Sequence, residues 1–205
     1  FDPNGLAIPE TDLIRRKWMA NDFYGAIWSM KYTDRRYEAS FGGGMNLFSG
    51  DHFGRIIWMR YAGNTDRDYQ WYFNNGHKGE ASLFSKLSYS LTENLTFFGD
   101  LQYRHISYEL SGNDDDLKDI SQVHRYNFLN PKAGLFLKTD EHNEVFVSFS
   151  VAGREPTRTD FKEASGDPDA MPHTEKLFDT EAGYKFTGEK FLMSLNLFWM
   201  NYRDQ

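Results

Sequence analysis

The sequence predicts an all-β protein of antiparallel, up-and-down strands. Three observations carry that prediction. Segments of about ten residues alternate between apolar and small or polar side chains, as Val145, Val147, Phe149 and Val151 do against Ser148, Ser150 and Ala152. Side chains on a strand point to opposite faces in turn, so such a segment has one apolar and one polar face. The alternating segments fall into hairpins with short turns at 33–36, 92–94, 139–144 and 187–190, while the connections at 49–79, 109–127 and 153–179 are long. The polar parity, lastly, carries full charges, including Lys31, Glu38, Lys86, Asp100, Arg104, Lys132 and Glu181.

These features favour a transmembrane barrel over a soluble sandwich. A sandwich would mix turn and loop lengths at both ends and would need a partner for every charge facing its core. Outer-membrane barrels have short turns at one end, long loops at the other, and strands that alternate apolar-out and polar-in.

Taken in order, residues 1–21 read as loop, with 14–21 as a possible short helical turn. From Asp22, a strand places Tyr24, Ala26, Trp28, Met30 and Tyr32 on one face. The next strand sets Tyr37, Ala39, Phe41, Gly43, Met45 and Leu47 against Glu38, Ser40, Gly42, Gly44 and Asn46. Glycines inside a strand suggest close backbone approach or sharp curvature. Residues 55–62 and 69–74 read as a separate, shorter hairpin around Gly63-Asn64-Thr65-Asp66. Leu83, Leu87 and Tyr89 then alternate with Ser82, Lys86 and Ser88. Leu95, Phe97, Gly99, Leu101 and Tyr103 alternate with Thr96, Asp100, Gln102 and Arg104, with Phe98 as an exception. After the acidic 109–127 connection, Leu129, Ala133, Leu135 and Leu137 alternate with Asn130, Lys132, Gly134 and Lys138, broken by Phe136. Ala182, Tyr184 and Phe186, then Met193, Leu195, Leu197 and Trp199, complete about eight strands. Tyr32, Tyr37, Tyr89 and Phe191 lie beside short turns, where an aromatic girdle would sit. Trp28, Leu87, Leu101, Leu135, Val147 and Leu195 are expected to face lipid. Lys86, Asp100, Arg104 and Lys132 are expected to face the lumen. Eight strands enclose only enough space for side chains, and both ends of the chain fall on the long-loop side. The chain is therefore expected to be an arc of a larger barrel, stable only within the rest of it.

Composition narrows the function. No run approaches the roughly 18 apolar residues of a spanning helix. The formal charge of −7 argues against a nucleic-acid binder, because phosphate-tracking surfaces are basic. There is no Cys, hence neither disulfide nor thiolate metal site. No secretory leader is legible, and a chain starting at Phe1 carries no information about one.

NPKAGLFLK (130–138), VFVSFSVAGREPTRTDF (145–161), EKLFDTEAGYKF (175–186) and NLFWMNYRDQ (196–205) resemble, in order and spacing, the C-terminal half of the barrel of TonB-dependent outer-membrane receptors. GGGMNLFSGDHFG (42–54) and GDLQYRHISY (99–108) look similar to the preceding strands. The resemblance implies that residues 1–205 are part of a plugged barrel of about 22 strands, without the plug domain and TonB box. It also implies a receptor in the outer membrane of a Gram-negative bacterium. Such a receptor imports a scarce bulky nutrient, such as an iron chelate (a siderophore complex), a cobalamin or an oligosaccharide. Its partners would be outer-membrane lipid, the ligand, and the TonB complex, engaged through a preceding segment. No cofactor and no catalytic group are implied.

Arg154, Glu155 and Arg158 sit above a strand end, where a loop could touch ligand or plug. The competing reading is a loop held by Pro156 and local ion pairs, since most loop charges are only solvated. Trp58, Tyr61, Tyr69, Trp71 and Tyr72 could stack on a sugar or flat ligand, or only pack across strands. Asp114, Asp115 and Asp116 could hold a hard cation, but their spacing lacks the D-x-D-x-D-G pattern, and a solvated acidic loop is the competing reading. His105 and Ser107 share one face, roughly 7 Å apart along a strand. They open the alternative of an outer-membrane hydrolase, but the gap is too wide for a direct Ser–His hydrogen bond without side-chain rotation. A soluble β-sandwich that binds glycans is a third alternative. No metal-ligand spacing, phosphate loop, nucleophile elbow or dinucleotide fingerprint appears.

Overall fold

The computed structural model describes residues 10–164 and 168–204; the loop reading of residues 1–9 lies outside them. Eight antiparallel strands form one sheet in sequence order: β1 (Leu13–Thr33), β2 (Tyr37–Met59), β3 (Tyr69–Ser90), β4 (Leu95–Gly112), β5 (Gln122–Lys138), β6 (Asn143–Arg154), β7 (Glu175–Thr187) and β8 (Leu192–Arg203). A helix, α1 (Arg158–Ala164), and a 3₁₀ turn (Pro168–Ala170) lie between β6 and β7. β1 and β8 do not pair with each other, so the arc has two open edges, each a template for a further strand. No helix among the described residues is long and apolar enough to cross a membrane.

The register separates the faces. Trp28, Gly43, Leu83, Tyr103 and Leu129 run side by side across five strands. Leu135, Val147, Ala182 and Leu197 continue that face across four. On the opposite face, Lys31, Ser40, Lys86, Asp100, Lys132, Ser150 and Asp179 form one polar row. From Tyr37 to Leu47 the apolar parity climbs roughly 33 Å, which at a tilt of about 45° leaves roughly 23 Å of height. The apolar girdle of a barrel in lipid is about that tall. Near its short-turn end, Tyr37 and Tyr89 stack with centroids 5.0 Å apart.

Phe84, Phe98 and Phe146 break the alternation because they answer glycines. Each points to the polar face and lies over the glycine paired with it on the next strand: Phe84 over Gly42, Phe98 over Gly134 and Phe146 over Gly183. A Cβ on Gly42 would come within 2.6 Å of the Phe84 ring. The missing side chain is thus the space into which the ring folds.

Several expectations are corrected. Residues 14–21 form no helical turn; they belong to β1 and pair with the upper end of β2. The hairpin expected at 55–74 is the continuation of β2 and β3. The connection expected at 49–79 therefore shrinks to 60–68, that at 109–127 to 113–121, and that at 153–179 to 155–174. The physical reason is common to all three. Above an apolar girdle both faces of a strand are wet, so the hydrophobic alternation fades while the backbone ladder continues.

Candidate functional site: an interlocked loop end

Two of the long connections, 113–121 and 155–174, meet on the polar face at one end of the sheet. α1 is the centre of that meeting. Thr157 caps it: the Asp160 carboxylate accepts from the Thr157 backbone N–H at 2.7 Å, and the Asp160 N–H donates back to Thr157 Oγ1 at 3.4 Å. This is a capping box with Asp in the usual Glu place. One turn on, Phe161 is 0% exposed. Its ring stacks on His124 of β5 at 4.2 Å and tilts against Tyr108 of β4 at 5.9 Å.

Charges flank this anchor. The Arg158 guanidinium donates to Asn74 Oδ1 at 2.8 Å and to Asp114 Oδ1 at 3.2 Å. Lys162 Nζ reaches Asp114 at 2.6 Å and Asp115 at 3.1 Å, and Lys17 of β1 also pairs with Asp115. At the other end of the segment Glu155 binds Lys78 at 2.5 Å and lies 3.7 Å from Arg104, which itself holds Glu80 at 2.8 Å. The connection 155–174 is thereby tied to β3, β4, β5 and the 113–121 loop, which Asp115 ties in turn to β1.

The bulge in β3 contributes to the same cluster. Gly54 pairs with Tyr72 and Arg55 with Gln70, so Trp71 is the extra residue. Both Trp71 and Tyr72 fold over Gly54 on the polar face, and Trp71 Nε1 donates to the Asp115 carbonyl at 3.3 Å. A bulge re-aims a side chain in this way.

The ion pairs set the pH range of the interlock. Hydrogen bonds from Lys17 and Lys162 pull the Asp115 carboxyl down from 3.8 to about 2. Burial alone would raise the Asp114 carboxyl, but the bonds from Lys162 and Arg158 outweigh it and lower it. Both shifts are depressions, so the stabilisation they represent is present above the unfolded carboxylate value and lost as pH falls through the folded one. Lys162 is shifted upward by its bonds to Asp114 and Asp115, so its contribution is present below the ordinary lysine value and lost only in strong alkali. Hydrogen exchange of the 155–164 amides in the full-length protein, normalised to the intrinsic rate at each pH, is expected to rise only modestly as the pH falls from about 4 to about 2, because Phe161 stays buried. Normalised exchange that is equal at both ends of that range would show that the carboxylates contribute nothing.

The other sequence candidates separate. Arg154 pairs with Glu175 at 2.6 Å. With Glu155 and Arg158 also paired, the three charges expected for ligand are engaged within the chain. Arg154 and Glu155, but not Arg158, border a cleft of about 630 Å³ shared with Asp160, Met171 and His173. Trp58 pairs with Ile14 on the face opposite Trp71 and Tyr72, and Tyr61 lies in the 60–68 loop under the Arg60 guanidinium at 5.8 Å. The aromatics therefore form no single platform. Lys86 pairs with Asp100 at 3.4 Å, and Lys132 with Glu181 at 3.9 Å; both pairs share the polar face with Arg104. Asp114, Asp115 and Asp116 present oxygens within 4.8 Å of one another, but lysine and arginine already take those of Asp114 and Asp115, and Asp116 pairs with Lys118 at 3.6 Å. His105 Nδ1 lies 2.9 Å from Asn127 Oδ1, which also accepts from the Tyr103 hydroxyl at 2.7 Å.

Phe161, Lys162, Asn74, Lys78 and Lys17 were not expected here. The one local signal was the spacing Thr157-x-x-Asp160 before Phe161, which marks a helix start.

The β-barrel of TonB dependent receptor-like proteins matches residues 7–205. No curated protein matches the sequence. Among solved structures, a copper transporter, OprC, superposes with a TM-score of 0.72 at 10% identity, covering 90% of this chain and 30% of its own. The ferric-catecholate import receptor Fiu of E. coli K12, in its closed form, gives 0.64 at 14% identity, covering 94% and 32%. The ferric yersiniabactin uptake receptor FyuA of Yersinia pestis gives 0.63 at 11%, covering 93% and 30%. The chain thus spans about a third of the length of these structures.

Proposed function

Because the chain belongs to the TonB-dependent receptor-like β-barrels, we propose that it is part of the wall of an outer-membrane receptor for energy-coupled uptake of a scarce, bulky nutrient. An iron chelate comes first among the ligand classes, ahead of a cobalamin or an oligosaccharide. Several structural neighbours are named as receptors or transporters of ferric chelates, which favours that order.

The observation that carries the reading is the division of the sheet. One face is an apolar girdle of bilayer height, the other a charged wall, and the long connections gather at one end. A closed ladder leaves no backbone group unpaired in lipid, while charges facing a wet lumen need no burial partners. The short turns would then face the periplasm and the loops the exterior. Loops 60–68 and 113–121, with the 168–174 part of the third, would meet an arriving ligand. The segment 155–164 would serve as their support. The partners would be outer-membrane lipid, the ligand, and the TonB complex reached through another part of the full-length protein.

The test uses the full-length protein in its own bacterium. Deleting its gene is expected to abolish uptake of one radiolabelled ferric chelate under iron limitation, and removing TonB is expected to do the same. Removing 168–174 should weaken ligand binding while leaving the receptor in the outer membrane, since changes of loop length cost little stability. Polar substitutions in the 139–142 turn should leave affinity unchanged. A ligand lost through turn variants but not through the loop deletion would reverse the inside–outside assignment.

A further inference from the structure

The sheet is forked between β5 and β6. β5 pairs with β4 along almost its whole length, from Gln122 opposite Leu110 to Leu137 opposite Leu95. With β6 it pairs only over 132–138. Pro131 stands where that pairing ends, and it has no N–H to give. Just above, the Gly153 N–H donates to the Asn130 side chain at 2.9 Å, and the Phe128 ring lies against Gly153. A cavity of about 280 Å³ opens at the fork, bordered by Pro131 and Val151. β6 ends at Arg154, and the chain then leaves the sheet: Glu155 is carried across the polar face to Lys78 of β3 and Arg104 of β4. Residues 122–129 of β5 therefore have a strand on one side only. Among the described residues, no backbone group of that stretch bonds to the backbone of the 155–174 connection. Every second residue of such a strand turns its N–H and C=O away from its partner, so the other side is a row of backbone groups ready to pair. This edge differs from those of β1 and β8, because its next strand is present in the chain and is too short to cover it.

An extended polypeptide fits such an edge. We propose that residues 122–129 of β5 bind an extended acidic segment of another protein by strand addition, in the place that a taller β6 would take. Backbone hydrogen bonds supply the affinity, and the side chains beside the edge set the preference. On the polar face, His124, Tyr126 and Phe128 form a stacked column with centroids 6.1 and 6.0 Å apart. Apolar side chains of an added strand lie against that column as cross-strand neighbours do. On the opposite face, Arg125 borders the edge, and Lys176 stands at the foot of the vacancy, paired with Gly153 at the top of β7. Neither cation has an ion-pair partner among the described residues. Their charge favours Asp or Glu on that side of the added strand. A segment that alternates apolar and acidic residues satisfies both faces at once. From the function proposed above, this inference takes only the side of approach: with the loops outward, the partner arrives from outside the cell.

The probe is a fluorescent synthetic octapeptide that alternates valine and glutamate, titrated with the full-length protein purified in detergent. Methylating its amide nitrogens at alternate positions is the decisive comparison, because an added strand turns one edge to β5 and the other to water. Methylation in one phase is expected to weaken binding about tenfold or more, since each lost hydrogen bond is worth about fivefold. Methylation in the other phase is expected to leave the affinity unchanged. Arg125→Ala should weaken binding of the unmethylated peptide about threefold, as an exposed ion pair allows. Arg36→Ala, at a short turn, should bind as wild type does. A peptide with lysine in place of glutamate should bind more weakly than the glutamate peptide. No binding of the unmethylated peptide, equal affinity of the two methylated ones, or a lysine peptide that binds as well overturns the proposal, and each leaves the receptor reading intact. Binding to the purified protein but not to intact cells supports strand addition and reverses the inside–outside assignment alone.

Discussion

In the full-length protein, replacing Phe161 with alanine is expected to release α1 from the sheet and leave the strands folded. Phe161 is wholly buried between His124 and Tyr108, and truncating such a ring costs about 3–5 kcal/mol. Seven residues cannot sustain a helix alone, because nucleation is unfavourable and isolated helices need roughly a dozen residues or more. The charges around the anchor cannot replace it. Lys162 is 32% exposed, and pairs of that exposure contribute about 0–1 kcal/mol each. Hydrogen exchange of the 155–164 amides is the measurement, with a rise expected there and none in β4 or β5. Unchanged exchange in Phe161→Ala would mean that the ion pairs hold the segment. Lys162→Ala should then have the larger effect, the reverse of the expected order.

Leu101 and Gln102 test the faces with adjacent residues. Leu101 is level with Phe41, Ser85 and Pro131 in the middle of the apolar girdle. An arginine there would place a charge near the bilayer midplane, at about 2–4 kcal/mol. Gln102 points the other way, toward Phe84 and Asn130, whose amide donates to it at 3.1 Å. An arginine there would enter a wall already rich in charge and lose one neutral hydrogen bond, worth about 1 kcal/mol. Leu101→Arg is therefore expected to lower the outer-membrane level of the full-length receptor severely, and Gln102→Arg only slightly. Equal losses would show that the two faces do not differ in their surroundings and would remove the membrane assignment.

The fold was legible because a barrel wall writes itself into the sequence residue by residue. In the girdle one parity builds the apolar face and the other the polar face, so Tyr37 to Leu47 and, apart from Phe136, Leu129 to Leu137 alternate without needing any distant partner. The charges on the polar parity marked which face of each hairpin is the polar one. Even the rings that broke the pattern, such as Phe98, obeyed a local rule once their glycine partners on the next strand were known. The strand ends were not legible. Beyond the girdle, Ile14 to Asn21 and Arg55 to Met59 meet water on both faces, and only pairing between β1 and β2 makes them strands.

The candidate site was legible as a set of loop residues but not as an arrangement. Arg158 and Asp114 are 44 residues apart in sequence, and Arg158 and Asn74 are 84 apart; no local spacing links them. Trp58 and Trp71 read as one aromatic cluster, yet the β3 bulge turns Trp71 inward while Trp58 faces out. The sequence by itself determined which residues share the apolar face, which share the polar face and where the short turns fall, because these depend on nearest neighbours along one strand. Only the tertiary structure decided that Arg158 and Lys162 of α1, Asp114 and Asp115 of the 113–121 loop and Lys17 of β1 neutralise one another beside Phe161, because long-range charge pairing depends on which strands the sheet sets side by side.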